Sequence, residues 1–311
     1  MSRTSVSKDV LSASALAVIA NLTADAAPDA LVDSVGTYDS SAAVAKKVLI
    51  ELLKGALPRS YLAGGGMTNG TDATNDVNVA AGEARDSTNA VNIRWSALVK
   101  QLDAAWAVGT AAGGRDTGAI ANGTWHVYAI RKDSDGSGDI LFSISVSAPT
   151  MPAGYTYFRR IGSILRESAA IVAFVQDGDR FRRLGSVLSV DTNNPGTSAV
   201  TATLHTPVGV NVIALINAAL IQATGATETA VMNVSDLAST DEAPSESAAP
   251  LGQLTSVGLN GADTYAWSGY ASLQIRTNTS AQVRYRLNLS TARHTARIAT
   301  LGWIDRRDRD L

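Results

Sequence analysis

Apolar and polar residues alternate almost one by one through much of residues 123–181. Trp125, Val127 and Ala129 fall on one side of that alternation, and His126, Tyr128 and Ile130 on the other. A polar tip, Asp133-Ser134-Asp135-Gly136-Ser137-Gly138-Asp139, separates this run from Ile140, Phe142, Ile144 and Val146. A period of two on either side of a Gly/Asp turn predicts a β-hairpin. Pro152-Ala153-Gly154 predicts a second turn, with a further strand running through Arg159-Arg160-Ile161-Gly162-Ser163. Residues 171–174 and 176–181 predict a closing hairpin around Asp177-Gly178.

The pattern differs elsewhere. Val10, Leu11, Ala15, Val18, Ile19 and Leu22 recur at helical spacing, so a short amphipathic helix capped by Ser7 is expected, ending near Ala26-Ala27-Pro28-Asp29. Lys8-Asp9 interrupts its basic start, which argues against a signal peptide. A strand is predicted over 31–39, a turn over 40–43, and a strand or short helix over 45–53. After residue 186, apolar runs at 187–190, 199–204, 208–221, 228–234, 265–275, 282–289 and 296–304 are separated by polar turns. That spacing predicts an all-β sandwich. The expected fold is mainly β. It has a helical and hairpin N-terminal region over 1–58, a β-rich middle domain over 59–186 and a C-terminal β-sandwich over 187–311.

Composition narrows the functions. The chain has 311 residues, enough for two or three cores, but only 5% are aromatic, which does not suit an aromatic-lined cofactor pocket. The net charge of −2 provides no footprint for nucleic acid. No apolar run is long enough to span a bilayer. There is no cysteine, hence no disulfide, thiolate metal site or Cys nucleophile. Arginines outnumber lysines 20 to 6, and many lie in predicted strands. Arginine favours bidentate pairs at buried edges; ordinary strand-surface arginine is the plainer expectation.

Several phrases resemble segments of bacteriophage tail-fibre and tail-associated proteins. In chain order they are Asp76-Val77-Asn78-Val79 with Gly82 and Ala84-Arg85-Asp86, then Leu102-Asp103-Ala104-Ala105-Trp106, then Trp125-His126-Val127-Tyr128. Next come Pro152-Ala153-Gly154-Tyr155-Thr156, with Met151 where the family usually has Leu, and Arg159-Arg160-Ile161-Gly162-Ser163. The series closes on Phe174-Val175-Gln176-Asp177-Gly178-Asp179. Two shorter matches flank it: Tyr38-Asp39-Ser40-Ser41 with Lys46-Lys47, and Gly302-Trp303-Ile304-Asp305-Arg306-Arg307 near the end. The resemblance implies a virion structural protein assembled in a bacterial cytoplasm, with a homotrimer as the common state. Residues 1–58 would attach to other tail or neck proteins, and a C-terminal tip would meet a host glycan or protein. A head, collar or adaptor component without receptor binding is the alternative.

Candidate chemistry is sparse. Gly64-Gly65-Gly66 is followed by Met67-Thr68-Asn69 rather than Gly-Lys-Ser/Thr, so it is read as a boundary or bend, not a phosphate loop. Asp133, Asp135 and Asp139 form either a solvated hairpin tip or a calcium loop outside the EF-hand type, since Ile144 stands where that type needs Glu. His126, His205 and His294 are far apart and form no metal-binding pair, and no G-x-S-x-G elbow occurs. No catalytic residue, metal or cofactor is expected. Dispersed carboxylates leave a polysaccharide depolymerase as a third reading, without the repeats of a β-helical body. Host contact is expected in loops around 239–247 and 258–267, where Tyr265, Trp267 and Tyr270 could stack on a sugar. The competing reading makes Trp267 and Tyr270 core residues of a strand.

Overall fold

In the computed structural model the described residues are 57–223, 228–247, 252–258, 266–307 and 309, with the backbone of two earlier strands. These two, β1 (Ser34–Asp39) and β2 (Val44–Leu49), pair as an antiparallel hairpin. The helix expected over 10–22 lies outside the described residues. Then follow β3 (Leu62–Gly64), β4 (Met67–Asn69), β5 (Asp76–Val79), β6 (Gly82–Arg85), β7 (Asn92–Trp95), β8 (Leu98–Ala105) and β9 (Ala112–Arg115). The long hairpin is β10 (Gly123–Lys132) and β11 (Gly138–Ser143), followed by β12 (Tyr155–Glu167), β13 (Ala170–Ile171), β14 (Phe174–Asp177) and β15 (Arg180–Asn193). The last third holds β16 (Val200–Thr203), β17 (Ile213–Gln222), β18 (Thr229–Ser235), β19 (Leu254–Gly258), β20 (Ala266–Trp267), β21 (Gly269–Arg276), β22 (Gln282–Leu287) and β23 (His294–Ile304). The protein is mainly β, and no helix occurs among the described residues.

One thirteen-stranded sheet runs β13-β12-β10-β11-β9-β8-β5-β4-β14-β15-β23-β17-β21. Its first part curls, because the short link from β13 to β14 bonds back to the β4–β5 region. Ile171 N–H donates to Thr74 O, and Asn69 Oδ1 accepts from Phe174 N–H. A three-stranded sheet, β3-β6-β7, adds Leu62, Ala84, Ile93 and Trp95 to the core inside this curl. Gly64 and Gly65 make the bend from β3 to β4 with φ of 69° and 68°, a conformation that side chains with a Cβ resist. The triple glycine is thus a bend between two sheets of one chain.

The hairpin alternation has an unexpected outcome. β10 is buried on both sides, because each face meets its own core. Trp125, Val127 and Ala129 pack with Ile140 and Phe142 in the inner core. Tyr128 and Ile130 pack with Leu141 and Tyr155 in a smaller cluster outside it.

The C-terminal part of the large sheet faces a five-stranded sheet, β16-β22-β18-β19-β20. Ala214, Ile216, Ala218 and Leu220 from one side meet Met232, Val234, Val283 and Tyr285 from the other. The boundary expected at 186/187 falls inside β15, which is far longer than the short strand expected at 187–190. Along β15, Phe181 belongs to the first core and Val190 to the second; along β23, Trp303 and Ile298 divide the same way.

Arginine departs from the plainer expectation. Arg85, Arg159, Arg160, Arg183 and Arg307 are buried, because each stem is covered by a layer while its head finds an anion or carbonyl. Arg160 binds Asp305 in a fork, with Nη1–Oδ2 at 2.6 Å and Nη2–Oδ1 at 2.8 Å. Burial alone would raise the Asp305 carboxyl; the Arg160 charge, its hydrogen bonds and the Arg307 amide outweigh that and hold it below the usual range. Lys100 and Asp139 form a second buried pair at 2.9 Å.

Asp305→Ala should cost about 3–5 kcal/mol in urea unfolding, since it strands a buried guanidinium. The joint replacement of Arg160→Met and Asp305→Leu should lose less than Asp305→Ala alone. An Asp305→Ala loss below about 1 kcal/mol would show that water or another group takes over the arginine.

Candidate functional site

Trp267 ends β20, paired with Val257 of β19, and Tyr270 is the second residue of β21, paired with Ala219 of β17. The chain crosses from one sheet to the other between them, where Gln222 N–H donates to Ser268 Oγ at 3.2 Å. Neither aromatic is a core residue: Trp267 is 67% exposed and Tyr270 72%. Each stands at a sheet margin with too little opposite it to cover a large ring. Tyr270 borders a shallow groove of about 460 Å3, floored by Ala218 and Ala219 and rimmed by Leu188 and Arg297. Tyr265 lies outside the described residues, as does most of the 258–267 loop. The described 239–247 segment is pinned to β22: Arg286 pairs with Asp241 at 3.1 Å, and Arg284 donates to Ser239 O at 3.0 Å.

The three tip carboxylates do not converge. Asp133 accepts from Thr156 N–H and Oγ1, at 3.1 and 2.8 Å. Asp135 accepts from Ser137 and pairs with Lys132; the Ser137 hydroxyl and amide pull its carboxyl down to about 2. Asp139 is buried, facing Lys100 and accepting from Gly109 N–H at 2.8 Å. Only Asp133 and Asp135 thus belong to a solvated tip. Among the described residues no group of three or more His, Asp or Glu side chains is arranged to hold a metal ion.

The histidines also separate. His205 Nδ1 lies 3.0 Å from Glu167 Oε1, and Arg183 binds the same carboxylate at 3.0 and 2.6 Å. Burial would raise Glu167, but Arg183 and His205 outweigh it and draw it down. His294 is fully buried at the start of β23, where its Nδ1 accepts from Thr291 N–H at 3.2 Å. Burial lowers its affinity for a proton, and the Glu228 charge only partly restores it.

His126 belongs to a polar network that sequence reasoning missed. Its Nδ1 lies 2.9 Å from Ser163 Oγ, which also accepts from Arg160 Nη1 at 3.1 Å. Arg160 then binds Asp305. Arg160 and Ser163 are three residues apart, so a regular strand would point them to opposite faces. A bulge resets the count: Val127 pairs with Gly162 but Tyr128 with Arg160, leaving Ile161 as the extra residue. The resulting line of His, Ser, Arg and Asp resembles hydrolytic machinery only by residue type. The carboxylate sits on the guanidinium, and the serine hydroxyl is sealed in the core. The network holds strands together. Its signal in the sequence was the pair of phrases at 159–163 and 302–307, which meet here.

No family model and no curated protein matches the chain. Among solved structures, a tryptic core variant of Cry1Da from Bacillus thuringiensis aligns at a TM-score of 0.20 and 10% identity, over 81% of this chain. The chain spans about half of that protein, 54% of its length. The VP2 subviral particle of infectious bursal disease virus aligns at a TM-score of 0.13 and 11% identity, over 80% of this chain and 81% of the other. Scores of this size support no statement about fold or function.

Replacing Trp267 and Tyr270 by Ala should leave the melting temperature within about 2 °C of the native protein, as each side chain is mostly exposed. A larger drop would mean that they pack against something. His294 supplies a pH test. Its proton affinity in the folded state is below the ordinary value of 6.5, so the unfolded chain takes up the proton first as pH falls. Its stabilising share is therefore full above 6.5 and declines below it. Urea midpoints measured from pH 7.5 to 5 should fall less steeply in His294→Gln than in the native protein. Equal slopes would contradict the assignment.

Proposed function

We propose that the protein is a bacteriophage virion structural protein, a tail fibre that carries a host-binding tip. One observation supports the reading above the others. Several of the contacts that join distant parts of the body are made between phrases that resemble tail-fibre segments, not by residues scattered on loops. Arg160 of one phrase binds Asp305 of another, Asp179 binds Arg307 at 2.7 Å, and Phe181 stacks on Trp303 with ring centroids 5.5 Å apart. A sequence shared for a structural reason would keep such residues together. On this reading residues 1–58 attach the chain to the particle, three copies associate, and the C-terminal sheets face outward. Trp267 and Tyr270 then offer exposed rings on which a sugar could stack. The activity is mechanical: a body braced by buried, hydrogen-bonded charges such as Arg160–Asp305 and Lys100–Asp139 transmits position without yielding.

Antibody labelling of particles that carry the chain tests this in one micrograph. Label along or at the tip of fibres is expected. Label confined to the head or collar would favour the adaptor alternative, and release of oligosaccharide from host surface polymer would replace both with a depolymerase. Sedimentation of the purified chain should give a trimer at micromolar concentration; a stable monomer would remove that part of the proposal. Trp267→Ala with Tyr270→Ala should reduce adsorption at least tenfold with incorporation into particles unchanged.

A further inference from the structure

A cleft of about 800 Å3 opens where the hairpin block meets the C-terminal strands. Its lining holds five arginines, Arg59, Arg160, Arg276, Arg306 and Arg307, against one acidic residue, Asp305. Arg160 is matched by Asp305 and Arg307 by Asp179, and Arg306 makes interactions of its own. Arg59 and Arg276 are exposed, and their side chains have no ion-pair partner among the described residues. Asp236 senses the charge of Arg276 but is not part of the lining. A chain of net charge −2 has therefore gathered positive charge in one concavity.

The gathering is built, not loose. Buried Arg159 reaches through the wall and donates to Arg59 O and to Arg307 O, each at 3.0 Å. Two lining segments from opposite ends of the chain are thereby held in place. Exposed Asn211 and Thr279 add hydrogen-bonding side chains, while Tyr128 and Val212 close the interior. The volume lies in the range of small-molecule sites. Guanidinium groups match carboxylate and phosphate oxygens two at a time. Like charges held together repel unless an anion joins them.

We propose that this cleft binds a small anion-bearing ligand: a carboxylate or phosphate on a polar molecule of about sugar size. The cleft shares no lining residue with the Tyr270 groove, so the proposal is independent of the fibre reading. The test is calorimetric titration of the full chain at low ionic strength with D-glucuronate, inorganic phosphate and uncharged D-glucose. Saturable binding of either anion, with none of glucose, is expected. Tighter binding of glucuronate would assign the site to an acidic sugar; equal or tighter binding of phosphate would assign it to the oxyanion alone. Arg59→Gln with Arg276→Gln should weaken binding at least tenfold with an unchanged melting temperature. Arg297→Gln, on the other groove, should leave binding as it is. Failure of both anions to bind the native protein, or native affinity in the double variant, would overturn the proposal.

Discussion

The fold depends on a buried charge pair between its middle and its end. Arg160 and Asp305 are 145 positions apart, and both are withdrawn from water. Taking two such groups out of solvent is costly unless every lone pair and proton finds a partner. Here the fork is complete, Ser163 takes a further arginine proton, and the Arg307 amide takes a further carboxylate lone pair. That degree of satisfaction requires β10, β12 and the end of β23 to meet in one arrangement, so the pair rejects others.

From that point the two cores are joined by continuity of strands, not by a linker. β15 and β23 run side by side, with register shifts partway along both. The shifts let one ladder serve two cores. Phe181 and Trp303 stack at one end, and Val190 and Ile298 are buried at the other. Gly302 makes the approach close, since a Cβ there would run into the Phe181 carbonyl. The large sheet is thus the frame of the molecule, and the smaller sheets are lids over its two cores.

Much of this was legible in period-two patterning. The hairpin of β10 and β11, its tip at 133–137 and the strand character of 213–222 and 282–287 all follow from alternation and turn residues. What alternation cannot report is whether the second face is also covered, as it is in β10. Nor can it report a bulge: nothing in Arg160-Ile161-Gly162-Ser163 announces that Ile161 is the extra residue. The polar network and the Arg-lined cleft were hidden for the same reason. Their members come from residues 59, 126, 160, 276 and 305–307, which only the tertiary arrangement assembles. Trp267 and Tyr270 were found as the local aromatics, but exposure separates a binding face from a packing one, and it is set by where the sheets end.

The position of β23 in the chain has a consequence for biosynthesis. It lies between β15 and β17 in the large sheet but follows both of them in the chain. Both neighbours must therefore wait, each with one unpaired edge, until β23 has been made. Neither core can close before β23 arrives, since Trp303 belongs to one and Ile298 to the other, and the long sequence separations involved slow the search that follows. During that interval the open edges are exposed to pairing with other chains. A protein built this way gains its solidity in a late, concerted closure, and its yield depends on how well the waiting strands are shielded.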